Sequence, residues 1–201
     1  MRKILFFFGL ALALAQGAAS AADLPVPSEE IVYAPEPVST YKFIEEVRVG
    51  PSVFAIDERR RLTRHEEGVF LNGEVIFGNP MTPFDNRFAD FLLRPRPHIG
   101  TTIATSGGTS QVYAGLTWDL YLTDWLFLEG TFGGTVHNGD TGRTANGPRL
   151  GCSALFRESA GIGVAVRNFV VVAAVDHSSH AGLCGVNDGL THAGVKVGYR
   201  F

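Results

Sequence analysis

The final residues of the chain alternate strictly: Thr191, Ala193, Val195, Val197, Tyr199 and Phe201 share one parity, while His192, Lys196 and Arg200 fall on the other. A two-residue period sends successive side chains to opposite faces of a strand, here one apolar and one polar. The segment before it behaves alike. Phe169, Val171, Ala173 and Val175 lie on one face, the same parity continues to His177 and Ser179, and Asp176 points the other way. If the apolar stripe faces a core, the sheet is that of a soluble protein with the polar pair at its edge. If it faces lipid, His177 and Ser179 sit on the outer wall of a barrel near the membrane boundary.

The opposite end of the chain favours lipid. Arg2 and Lys3 precede an apolar run from Ile4 to Ala15, and Ser20, Ala21 and Ala22 form a small-residue cleavage site. That pattern predicts a secretory signal peptide over residues 1–22. No later apolar run is long enough for a spanning helix, which excludes a helical membrane protein. Removing Arg2 and Lys3 would take the formal net charge from −3 to −5. Without a basic cluster, such a chain carries no electrostatic footprint for nucleic acid. Hydrophobic residues are 45% of the chain, with 24 Gly and 15 Phe. An exported chain of that composition with no spanning helix suits an outer-membrane barrel, although a secreted β-sandwich shares most of these features.

Residues 23–41 carry Pro25, Pro27, Pro35 and Pro37 among acidic residues and read as an extended segment without a core. The barrel domain is expected over 42–201. A strand pattern runs from Lys42 to about Asp57, broken at Gly50 and Pro51, before a charged loop from Glu58 to Gly68. Further strands are expected over Val69–Gly78, Phe91–Thr105, the stripe from Val112 to Leu120, Trp125–Val136, Gly151–Val166, Phe169–Ser179 and the C-terminal segment. Long polar connections (58–68, 105–109, 138–150, 180–189) alternate with mostly short ones (123–124, 167–168). The expected fold is therefore all-β: an eight-stranded antiparallel transmembrane barrel with short periplasmic turns and longer extracellular loops. Trp118, Tyr121, Trp125, Phe169, Tyr199 and Phe201 gather beside the short turns, as an interfacial girdle would. The inner face is expected to hold Glu74, Arg94, Arg96, His98, Asp119, Asp176, Lys196 and Arg200. Eight strands leave room only for side chains, so these charges read as a structural ion network instead of a pore.

His177 and Ser179 are the residues with chemistry. A serine hydroxyl needs a base within hydrogen-bond reach to become a nucleophile, and an i, i+2 spacing on a strand sets the two Cα atoms only about 6.6 Å apart. Two cysteines with no Cys-x-x-Cys spacing make no zinc site, and no metal or cofactor is expected. Cys152 and Cys184 both fall at the long-loop end, where a disulfide is geometrically open to them.

His177-x-Ser179, then Ala181-Gly182, then Asn187-Asp188-Gly189 and an alternating last strand resemble the outer-membrane lipid A 3-O-deacylase family, PagL. The resemblance extends more weakly upstream through LLRPRPHIG, GLTWDL and LFLEGTFGG. It implies a Ser-His-Glu triad on the outer surface of an eight-stranded barrel, cutting the 3-O-linked acyl chain from lipid A. Carried over, Ser179 is the nucleophile and His177 the general base, with Asn187 and a backbone N–H near Gly182 as oxyanion donors. The family's acid falls on Thr191, Asp188 is the other candidate for the third member, and His180 stands where the family usually has Asn. The implied partners are lipid A or lipopolysaccharide, the outer membrane of a Gram-negative bacterium, and the barrel-assembly machinery that reads a terminal Phe; a homodimer is left open. Two functions follow: a lipid A esterase, favoured by the Ser-His pair, or a non-catalytic barrel with a structural, adhesive or lipid-binding role, favoured by Thr191.

Overall fold

The computed structural model describes residues 41–55, 66–142 and 147–201. The expected leader, the Pro-rich segment up to residue 40, residues 56–65 (the end of the expected first strand and most of the charged loop) and residues 143–146 of the 138–150 loop lie outside them. Eight strands form a closed antiparallel barrel in which every strand pairs with its sequence neighbours and β1 closes on β8. They are β1 (Ile44–Phe54), β2 (Val69–Phe77), β3 (Arg96–Ala104), β4 (Gln111–Tyr121), β5 (Leu126–His137), β6 (Ala154–Val166), β7 (Phe169–Ser179) and β8 (Leu190–Arg200). No helix among the described residues is long and apolar enough to cross a membrane.

The barrel is inside out relative to a soluble protein. Val49, Leu71, Ile103, Leu128, Ile162 and Val195, among many others, are exposed on the outer wall, while Glu46, Arg48, Glu74, Glu129 and Arg157 are buried within. Alternation alone produces this division, because each strand gives one parity to the wall and the other to the interior. The lipid-facing reading of the apolar stripe follows from it.

The interior is filled. The Arg48 guanidinium lies 2.5 Å from Glu46 Oε1 and 2.5 Å from Glu129 Oε2, with Glu74 at 3.6 Å. Lys196 joins Glu74 at 3.0 Å, Arg200 joins Glu46 at 2.8 Å, and Arg96 bridges Glu46 and Asp119. Further along, Arg157 lies 3.3 Å from Asp176 and stacks 3.8 Å from the Tyr113 ring centre. Small apolar clusters stop both ends: Phe127, Val170 and Val172 near the short turns, and Leu150, Leu155 and Leu190 near the long loops. The aromatic girdle is present beside the short turns, with Tyr199 within 5.6 Å of Phe169 and 5.3 Å of Phe201, ring centre to ring centre.

Several expectations are corrected. Phe91 does not open a strand: Arg87–Leu93 is a helix, α1, and β3 begins only at Arg96. The Asn86 side chain accepts from the N–H groups of Phe88 and Ala89 and so caps that helix. Arg94 consequently leaves the interior and binds Asp90 one helical turn back. Strand β1 also runs unbroken through Gly50 and Pro51. The ladder with β2 continues through both residues, and the one with β8 is interrupted at them, where the proline has no N–H to donate. Finally, β6 starts at Ala154, not Gly151.

Candidate active site

The long-loop ends of β6, β7 and β8 build the site. Strand β7 presents Val175, His177 and Ser179 outward while Asp176 and Ser178 point in, where Ser178 donates to Gln111 at 3.0 Å. Both His177 and Ser179 are half-buried, at the top of the exposed apolar stripe. Thr191 is the direct cross-strand partner of His177 on β8. The two side chains meet, with His177 Nδ1 2.8 Å from Thr191 Oγ1. Thr191 is itself held from the far side, because its carbonyl accepts the Ala55 N–H at 2.8 Å.

Gly189 makes room for the imidazole. A Cβ there would come within 2.8 Å of His177 Cε1, and its backbone adopts φ of +69°. Any side chain would push the ring off its seat and strain the turn.

The loop above the pair is braced at three points. Asp188 takes two hydrogen bonds from the Arg149 guanidinium, at 2.8 and 3.0 Å, and one from its N–H at 2.9 Å. These bonds raise Arg149 above its ordinary value, so the pair stays charged. His180, buried at 2% exposure, accepts the Cys184 N–H at Nδ1 (3.2 Å) and so presents Nε2–H to the Val186 carbonyl (2.9 Å). It organises the loop from within. Cys152 and Cys184 are bonded, with Cα atoms 5.7 Å apart. Asn187 is half-buried in this loop, and Gly182 is exposed with φ of +83°. The cavity of about 510 Å³ that opens beside Asp90, Arg94 and Trp118 lies at the other end of the barrel and takes no part in the site.

A family model described as lipid A 3-O-deacylase (PagL) matches residues 98–200, the span that holds His177, Ser179 and Thr191. The chain belongs to the PagL family. Among solved structures it is similar to the outer-membrane enzyme PagL, at 16% identity over 78% of this chain and 99% of that one, with a TM-score of 0.55. It is also similar to the N-terminal β-barrel domain of Pseudomonas aeruginosa OprF, at 10% identity over 80% of this chain and 98% of that one, with a TM-score of 0.50. At these identities the likeness establishes the barrel fold. A comparison with curated proteins returns no match.

Against the PagL pattern, the structure joins His177 to Thr191, keeps Ser179 two residues along on the same face, and engages the Asp188 carboxylate with Arg149. Sequence reasoning left the faces of β6 unread. Phe156 there opposes Ser179, and Glu158 opposes His177. Phe156 stacks on Phe132 of β5, ring centres 6.3 Å apart. The two-residue turn Arg167–Asn168 was the signal available, since counting back from it pairs 158 with 177.

The bonded cysteines give a direct check. Thiol labelling of the denatured, unreduced protein is expected to find neither Cys152 nor Cys184, and labelling after reduction to find both. In the chain-entropy account, closing a loop of this size stabilises the protein by about 3–4 kcal/mol, read as a lower urea midpoint in reductant. Free thiols at both positions would refute the bond.

Proposed function

We propose that the protein is an outer-membrane lipid A 3-O-deacylase of a Gram-negative bacterium, hydrolysing the ester by Ser179 and His177. The observation that carries this reading is the His177–Thr191 contact on the outward face. With Nδ1–H donated to the Thr191 hydroxyl, Nε2 keeps its lone pair for Ser179. The location supports it too. A nucleophile at the top of a lipid-facing stripe meets a substrate whose acyl chains lie in the membrane and whose sugars lie at its surface.

In the first half-reaction Ser179 Oγ attacks the acyl carbonyl carbon while its proton passes to His177 Nε2. The oxyanion of the tetrahedral intermediate is received by the Asn187 side-chain amide and a backbone N–H near Gly182. Collapse breaks the ester C–O bond, and the sugar hydroxyl leaves with the proton from His177. Water, deprotonated by the same imidazole, then releases the fatty acid from Ser179. The long loops face the cell exterior, and the girdle marks the periplasmic interface.

Mass spectrometry of lipid A from cells with and without the protein tests the proposal. Loss of one ester-linked acyl chain in the protein's presence is expected. Unchanged lipid A beside a fully assembled barrel would favour the non-catalytic reading, which draws on the neutral Thr191.

A further inference from the structure

A histidine that takes a serine's proton becomes an imidazolium, and a nearby carboxylate both orients the ring and balances that charge. Thr191 can do only the first. Its hydroxyl lies 2.8 Å from Nδ1 and can take that proton in a hydrogen bond, but it carries no charge. The other flank of His177 is different, because on β6 its direct partner is Glu158. Directly opposed residues hold their Cβ atoms about 4.5–5.5 Å apart, which leaves a glutamate well able to bring its carboxylate beside the ring.

The charges around His177 single out this residue. Through the wall lie Asp176, Arg157 and His192, already associated with one another inside the barrel. At the loop end stands the Arg149–Asp188 pair, also matched in sign. On the outer face, β8 offers Thr191 and β7 offers Val175 and Ser179. Glu158 is exposed on that face and makes no hydrogen bond or ion pair among the described residues. It is flanked by Phe156 on its own strand face and opposed by Phe132 across β5. A lone carboxylate on an apolar, membrane-facing wall is costly, and such a charge interacts more strongly than it would in water.

We propose that Glu158 supplies the negative charge that balances His177 as Ser179 attacks, so that β8 orients the base and β6 charges it. This rests on the Ser-His reading of the site. Glu158 is a positioning residue: it acts through the base and does not touch the substrate.

The test uses the barrel in detergent micelles with two substrates. Lipid A reports turnover, and a fluorophosphonate reports activation of Ser179 without lipid A, since phosphorylation of Oγ expels fluoride and sends the serine proton to His177. Glu158→Gln is expected to lower both kcat and the labelling rate by about tenfold or more. KM should stay within about twofold. Glu158→Asp should keep most of the rate, and Glu158→Gln with Thr191→Glu should recover it by moving the acid to the other strand. Heat-modifiable gel migration verifies that each variant is assembled. Labelling as fast in Glu158→Gln as in wild type, or no labelling of wild type, overturns the proposal. Labelling that depends on Glu158 without any lipid A turnover upholds it and refutes the substrate assignment instead.

Discussion

Ser179→Ala is expected to cut lipid A deacylation by at least about three orders of magnitude, because in the proposed mechanism Ser179 is the group that forms the acyl intermediate. The barrel should assemble as before. Ser179 ends β7 on the outward face, packs no core, and its hydroxyl makes no hydrogen bond among the described residues. Removing one oxygen there leaves no buried group unsatisfied, so stability should change by less than about 0.5 kcal/mol. Lipid A mass spectrometry and heat-modifiable migration, run on the same preparation, separate the two effects. Undiminished deacylation by the Ala variant would remove Ser179 as the nucleophile.

Arg48→Met should show the reverse pattern, with its damage in stability. One guanidinium lies among three buried carboxylates, those of Glu46, Glu74 and Glu129. Replacing it with an apolar side chain leaves them facing one another, with Lys196, Arg96 and Arg200 as the remaining ion-pair partners among the described residues. Breaking a buried ion pair from one side costs about 3–5 kcal/mol, and here one cation serves several anions. The urea midpoint of the refolded barrel should fall accordingly, while Arg87→Met on the exposed start of α1 should leave it nearly unchanged. Equal midpoints for the two variants would mean that the interior network carries no stability.

Where the sequence was legible, periodicity did the work. The faces of β7 and β8 could be read by counting, and with them the outward placement of His177, Ser179 and Thr191. A strand with one lipid face and one charged face has no ambiguity of parity. The stretch from Phe88 to Leu93 failed the same method: its apolar residues are too closely spaced to choose between helix and strand, and the deciding signal was the capping Asn86. Glu46, Arg48, Glu129 and Arg157 went unnoticed because a charge between two apolar residues looks like a surface residue until the sheet is known to close. The cross-strand pairing of Thr191 with His177 depends on the geometry of a ten-residue connection between them, 180–189, which no count along the chain supplies. Asp188 illustrates the same gap, since its partner Arg149 lies 39 residues away.

The bond between Cys152 and Cys184 has a geometric meaning beyond stability. Together with the Arg167–Asn168 turn it converts β6 and β7 into a covalent ring, closed at both ends of the hairpin. An open hairpin can slide, and a slip of a single residue turns every side chain to the other face. Such a slip would send His177 and Ser179 into the barrel lumen and bring Asp176 and Ser178 out to the lipid. A closed ring cannot slide without crumpling one of its sides. The bridge thereby acts as a parity lock, keeping the face that meets the membrane the one that carries the serine.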